Sequence, residues 1–249
     1  MTSLIQCLPL FSLVILLTIS NVLGNSTNCD ASVEKMDKYY KEALFIKQGV
    51  KFPSNDQEIE DYCRNGKLFA NEVKNFNECS KPFPRQVVQI IGKSLSKTMK
   101  SMCKAGKPRQ KLVKAFECAT SSYHKTVQDC GLILVNQIYL SSFNMTSEQL
   151  FPLICCSFHS LKECILAAPV PVCPDEKFNL TSYFMTQIDK LIKDFTDLLC
   201  GRWSTLKQCQ EVAPEVFEYL GKLNNVSIFN KDESLLGTIL EITTKLSDE

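Results

Sequence analysis

Cys155, Cys156 and His159 stand together in the run CCSFHSLKEC, residues 155–164. Two adjacent cysteines and a histidine at this spacing could pin a water-activating imidazole on a disulfide-held helix, the equipment of an ester hydrolase. A metal-assisted form of that chemistry would place a hard cation beside the histidine, and hard cations take oxygen ligands, carboxylates above all. Here Ser160 follows His159 and brings no carboxylate. Upstream, Cys130-Gly131 runs directly into LILVNQIYL, so no glycine-rich loop of carbonyl ligands precedes the motif. The chain has no Gly-x-Ser-x-Gly elbow, no His-Glu-x-x-His helix and no Cys-x-x-Cys pair. His159 and the only other histidine, His124, therefore read as partly exposed helix residues. No catalytic residue, no metal ligand and no cofactor is expected.

The CCSFH spacing is similar to that of secreted phospholipases A2, and a phospholipase-like esterase using His159 is the remote alternative it implies. Ser160 and Cys164, two positions later than that pattern requires, count against it. Cys155 and Cys156 read instead as two structural half-cystines, pointing in different directions on a helix and serving two different partners.

The compartment explains the cysteines. An apolar run from Leu4 to Ile19, followed by the small residues Val22 and Gly24, reads as a signal peptide of residues 1–24. It is shorter than the roughly 20 residues of a spanning helix, and no later run reads as a transmembrane segment. Cys7 leaves with the leader. Of the 13 cysteines there remain Cys29, Cys63, Cys79, Cys103, Cys118, Cys130, Cys155, Cys156, Cys164, Cys173, Cys200 and Cys209. An even set in a secreted chain predicts disulfides throughout, with connectivity left open. Cys103 and Cys118 are expected to pair elsewhere, because a mostly helical segment between them holds them too far apart. Four sequons, at Asn25, Asn144, Asn179 and Asn225, predict a glycoprotein. The formal net charge is +1, with both signs interspersed, so no nucleic-acid face is expected.

Helical periodicity dominates the elements that must carry these residues. Phe184, Ile188, Leu191, Ile192, Phe195, Leu198 and Leu199 form one stripe, and Val87, Ile91, Leu95, Met99 and Met102 a second, interrupted by Gly92. Val33, Met36, Tyr40 and Leu44 form a third. Ser54 with Gln57, and Thr146 with Gln149, have capping-box spacing. Leu132 to Leu140 could be a short strand or a buried helix. The expected fold is all-α: a disulfide-stapled helical bundle or array. Residues 25–223 form the disulfide-linked domain, and two related halves near 25–135 and 136–223 are the alternative division. Residues 224–249 read as a polar linker and an amphipathic helix carrying Leu235, Leu236, Ile239, Leu240 and Leu246, expected to dock on the core.

A recurring unit suggests the halves. CRNGKLFANEVKNFNEC (63–79) and CKAGKPRQKLVKAFEC (103–118) share their opening and closing residues, and CSFHSLKEC (156–164) and CGRWSTLKQC (200–209) share a shorter form. Gly66, Gly106 and Gly201 suit left-handed helix stops beside opening cysteines. CKAGKPRQKLVKAFEC, the segment Tyr123 to Cys130, CCSFHSLKEC and DLLCGRW together resemble a group of arthropod secreted, cysteine-rich helical proteins, loosely similar to insect haemolymph glycoproteins. The resemblance implies secretion and an all-helical disulfide-linked fold, and no catalytic residues. The function expected is that of a non-enzymatic extracellular protein holding a lipid-like ligand or a protein partner. A helical receptor-binding factor is the alternative.

Overall fold

The computed structural model describes residues 29–46, 50–76, 79–224 and 234–247. The leader, Asn25 and Asn225 lie outside the described residues. Within them the chain is all-α, with ten helices: α1 (29–43), α2 (Asp56–Asn75), α3 (Pro82–Cys103), α4 (Lys107–Cys118), α5 (Ser121–Asn144), α6 (Ser147–Leu166), α7 (Leu180–Leu199), α8 (Leu206–Val212), α9 (Pro214–Leu223) and α10 (Leu235–Ser247). The ambiguous run Leu132–Leu140 lies inside α5.

Local chemistry sets the helix starts. Thr146 caps α6 with the expected partner, its N–H donating to Gln149 Oε1 at 3.1 Å. At α2 the expected box is displaced by one residue. Asn55 is the cap and accepts from the Glu58 N–H at 2.9 Å, while Glu58 reaches back to the Ser54 N–H at 2.7 Å. Asn55 competes successfully because asparagine is as good a cap as serine and stands nearer the apolar stripe. Prolines occupy the first turns of α3, α4 and α9, where a missing N–H costs nothing.

Helix α3 is the hub, packing against α2, α7, α10 and α4. Its whole expected stripe, Val87 to Met102, is buried. The crossing with α2 explains two glycines at once. A Cβ on Gly92 would lie 2.7 Å from Val73 Cγ1, and one on Gly66 would lie 2.8 Å from Met99 Cγ. Each helix thus lends the other a bare patch of backbone. Gly66 is no helix stop, and Cys63 beside it lies within α2 and does not end a helix. Gly201 likewise starts a 3-10 turn without a positive φ, and Gly106 alone of the three adopts one, at 88°. On α7, Leu191, Ile192 and Phe195 are buried, but Leu198 is exposed because the stripe outlasts its neighbours.

Helix α10 docks on the core through Leu235, Leu236, Ile239 and Ile242, all buried. Its polar anchor is Asp37, a buried carboxylate that accepts the Leu236 N–H at 3.0 Å and pairs with Lys41 at 2.9 Å.

All twelve cysteines among the described residues pair. Cys29–Cys79 and Cys63–Cys103 tie α1, α2 and α3 together, and Cys118–Cys173 ties α4 to the segment before α7. Cys130–Cys164 joins α5 to α6. Cys155–Cys200 and Cys156–Cys209 send the adjacent cysteines of α6 to the end of α7 and to α8. The openings of the two long units, Cys63 and Cys103, bond to each other. The 135/136 division falls inside α5, and two bridges, Cys118–Cys173 and Cys130–Cys164, cross it.

Candidate functional site

The motif around His159 folds into a structural junction. Cys155 and Cys156 are buried on α6, and their two bridges place the chain after α7 against His159. The imidazole Nε2 lies 3.0 Å from the Trp203 carbonyl oxygen, so that nitrogen carries the proton and donates it to the backbone. Burial holds the ring's pKa below the usual histidine range, with the Trp203 hydrogen bond opposing it. Ser160 is occupied as well, accepting from Gln137 Nε2 at 3.3 Å. A neutral ring fixed to a carbonyl is poorly placed to take a proton from water through the same nitrogen. Among the described residues, no cluster of three histidine, cysteine or acidic side chains could hold a metal ion.

His124 stands elsewhere, on α5. Its ring centre lies 4.3 Å from that of Phe52, and burial lowers its pKa against an opposing hydrogen bond to the Val50 backbone. It faces an open groove with Ser54, Asn55 and Glu117, and His159 lies in a different groove, so the two histidines form no common site.

What the fold does assemble is an apolar cavity of about 80 Å³, lined by residues of α1 to α7. Aromatic rings make much of its wall. Phe45 stacks on Tyr62 at 5.2 Å between ring centres and meets Phe116 edge-on at 5.7 Å, and Phe184 closes the wall from α7. Met99 and Met102 supply flexible, polarisable walls that can yield to a guest. The polar groups are few. Tyr62 donates to the Ala43 carbonyl at 3.1 Å, and burial raises the pKa of Tyr40 and Tyr62, so both remain neutral phenols.

The wall begins at an unusual helix end. The Ile46 N–H bonds to the Lys41 carbonyl at 3.0 Å and the Phe45 N–H to the Glu42 carbonyl at 3.3 Å, the pairing of a Schellman stop. The left-handed position in that stop usually belongs to glycine, yet here Phe45 occupies it, with φ 57°. A bulky residue there costs about 1–2 kcal/mol. Its ring, buried among Phe52, Tyr62 and Phe116, compensates. Ile46 then seats against α5 so closely that a Cβ on Gly131 would meet its Cγ2. An alanine at Gly131 would therefore displace the β-branched Ile46 and the cavity wall with it.

Sequence reasoning missed this wall. Phe45 and Ile46 extend the third stripe past Leu44, and that overrun was the available signal. It also missed how lysines gather in space. Helix α3 contains no acidic residue, and its Lys93, Lys97 and Lys100 line a groove with Lys74 of α2.

The sequons that can be placed are accessible. Asn144 is exposed at the end of α5, and Asn179 is the exposed cap of α7, accepting from the Ser182 N–H at 2.8 Å. Among the described residues, no helix is long and apolar enough to cross a membrane. Comparison with known proteins finds no family model, no curated protein and no solved structure that matches the chain.

Proposed function

We propose that this protein is a secreted, glycosylated, non-enzymatic carrier of a small apolar, lipid-like molecule. The observation that carries this reading is the nearly all-apolar cavity at the centre of a disulfide-braced helical frame. Six bridges suit an oxidising compartment, and the exposed Asn144 and Asn179 suit glycosylation there. The resemblance to arthropod secreted proteins belongs to the same reading. His159, turned to a backbone carbonyl, gives the esterase alternative no support.

Size limits the guest. Typical small-molecule pockets hold about 300–1,000 Å³, and an engineered apolar cavity of about 150 Å³ takes benzene. A space of about 80 Å³ suits the end of an alkyl chain, with Met99 and Met102 moving aside for more. Protein purified from its secreting host, extracted with organic solvent and analysed by mass spectrometry, is expected to release a stoichiometric apolar compound. A preparation that releases none, and that takes up neither fatty acids nor alcohols afterwards, contradicts the proposal.

A further inference from the structure

We infer that the cavity's guest is an anionic amphiphile, whose charged head sits in a four-lysine groove that shares its walls with the cavity. This rests on the carrier reading and names the ligand class of the same site. The groove, of about 610 Å³, lies between the starts of α4 and α7. Met102 and Gln187 line both it and the apolar cavity, so they form the partition between a polar outer chamber and an apolar inner one.

The outer chamber is strongly positive. Lys107 and Lys111 of α4, Lys177 before α7 and Lys190 within α7 line it, and all four are exposed. None of the four forms an ion pair among the described residues. Of the nearby carboxylates, Asp175 is engaged with Lys114 at 2.9 Å and Asp189 with Lys162 at 2.7 Å, and the exposed Glu176 is not part of the groove's lining. The first turns of both helices face the groove, Lys107 and Pro108 on one side and Ser182 on the other, so two helix dipoles add positive potential.

One unpartnered donor lines the groove beside the partition: Tyr183 Oη is buried without a hydrogen-bond partner among the described residues. Burial pushes the Tyr183 phenol up to about 12, so it stays a neutral donor at neutral pH. A buried donor left unpaired is costly, and a carboxylate or phosphate oxygen would satisfy it. An alkyl tail beyond that head enters past Met102, whose side chain can rotate aside.

The test is a calorimetric titration of the whole protein, stripped of lipid, with decanoate, decyl phosphate and 1-decanol. Decanoate or decyl phosphate is expected to bind about tenfold or more tightly than decanol, and the preferred anion tells a carboxylate head from a phosphate. The variant Lys111→Gln/Lys190→Gln is expected to weaken the anion about fivefold and leave decanol unchanged. Lys111→Arg/Lys190→Arg is expected to retain it. Lys93→Gln/Lys97→Gln, which removes equal charge from a groove sharing no wall with the cavity, is expected to have little effect. Equal binding of decanol and both anions, or anion binding unchanged in Lys111→Gln/Lys190→Gln, overturns this inference and leaves the carrier reading standing. Failure of all three ligands overturns both.

Discussion

Replacing Cys156 and Cys209 together by alanine is expected to destabilise the protein by about 4 kcal/mol. The bridge closes a sequence separation of 53 residues, and its loss returns that loop's freedom to the unfolded chain. For a chain of this length the melting temperature should fall by roughly 10 °C. The neighbouring Cys155–Cys200 bridge still holds α6 to the end of α7, so the fold should survive and melt cooperatively. The effect should concentrate on α8 and α9, which lose their covalent tie to α6, and hydrogen exchange there should accelerate most. A melting temperature within about 2 °C of the parent would show that this bridge contributes little. The paired cysteines would then need another explanation, with a redox role first among them.

Asp37→Ala is expected to cost about 3 kcal/mol or more. The substitution removes the acceptor for the Leu236 N–H at the start of α10 and takes from Lys41, itself buried, the carboxylate at 2.9 Å. Breaking one side of a buried ion pair is expensive because the remaining buried charge loses its counter-charge. Asp37→Asn separates the two contributions. It keeps an oxygen for the Leu236 N–H but not the charge for Lys41, so it should lie between the parent and alanine. Limited proteolysis gives the local readout, with cleavage ahead of α10 expected to rise sharply for alanine and modestly for asparagine. Equal proteolysis of all three proteins would show that apolar burial of Leu235, Leu236, Ile239 and Ile242 holds the helix by itself.

These two sites divide what the sequence makes legible from what it hides. The stripes of α3 and α10 are readable because a period near 3.6 residues is a local property, and burial follows it. The vicinal cysteines were readable as diverging for the same reason. Their partners were not, since pairing depends on how whole helices cross. Glycine was the most misleading signal. Gly66 and Gly92 look like helix interruptions in sequence, yet they are the bare patches where α2 and α3 meet. Conversely, the true left-handed helix stop at Phe45 carries no glycine to announce it. Its backbone strain is tolerated only because the ring finds Phe52, Tyr62 and Phe116, residues scattered over three later segments. The site was hidden by the same geometry. CCSFH offers a local chemical pattern without the contacts to use it, whereas the cavity is built from residues that no single motif unites. The lysine groove is a spatial gathering too, assembled from α4 and α7 out of a chain whose net charge is only +1.

Carbon-13 NMR of the methionine methyl groups during a titration with 1-decanol reports directly on whether the aromatic-walled cavity takes an apolar guest. Met99 and Met102 line the cavity, while Met145 and Met185 do not. Saturable shifts confined to Met99 and Met102 are expected in the parent protein. Ala43→Leu, which extends an isobutyl group into the space from α1, should abolish them while leaving the fold intact. Resonances of Met99 and Met102 that stay still at saturating decanol, or that shift equally in Ala43→Leu, would show that the cavity does not take the guest.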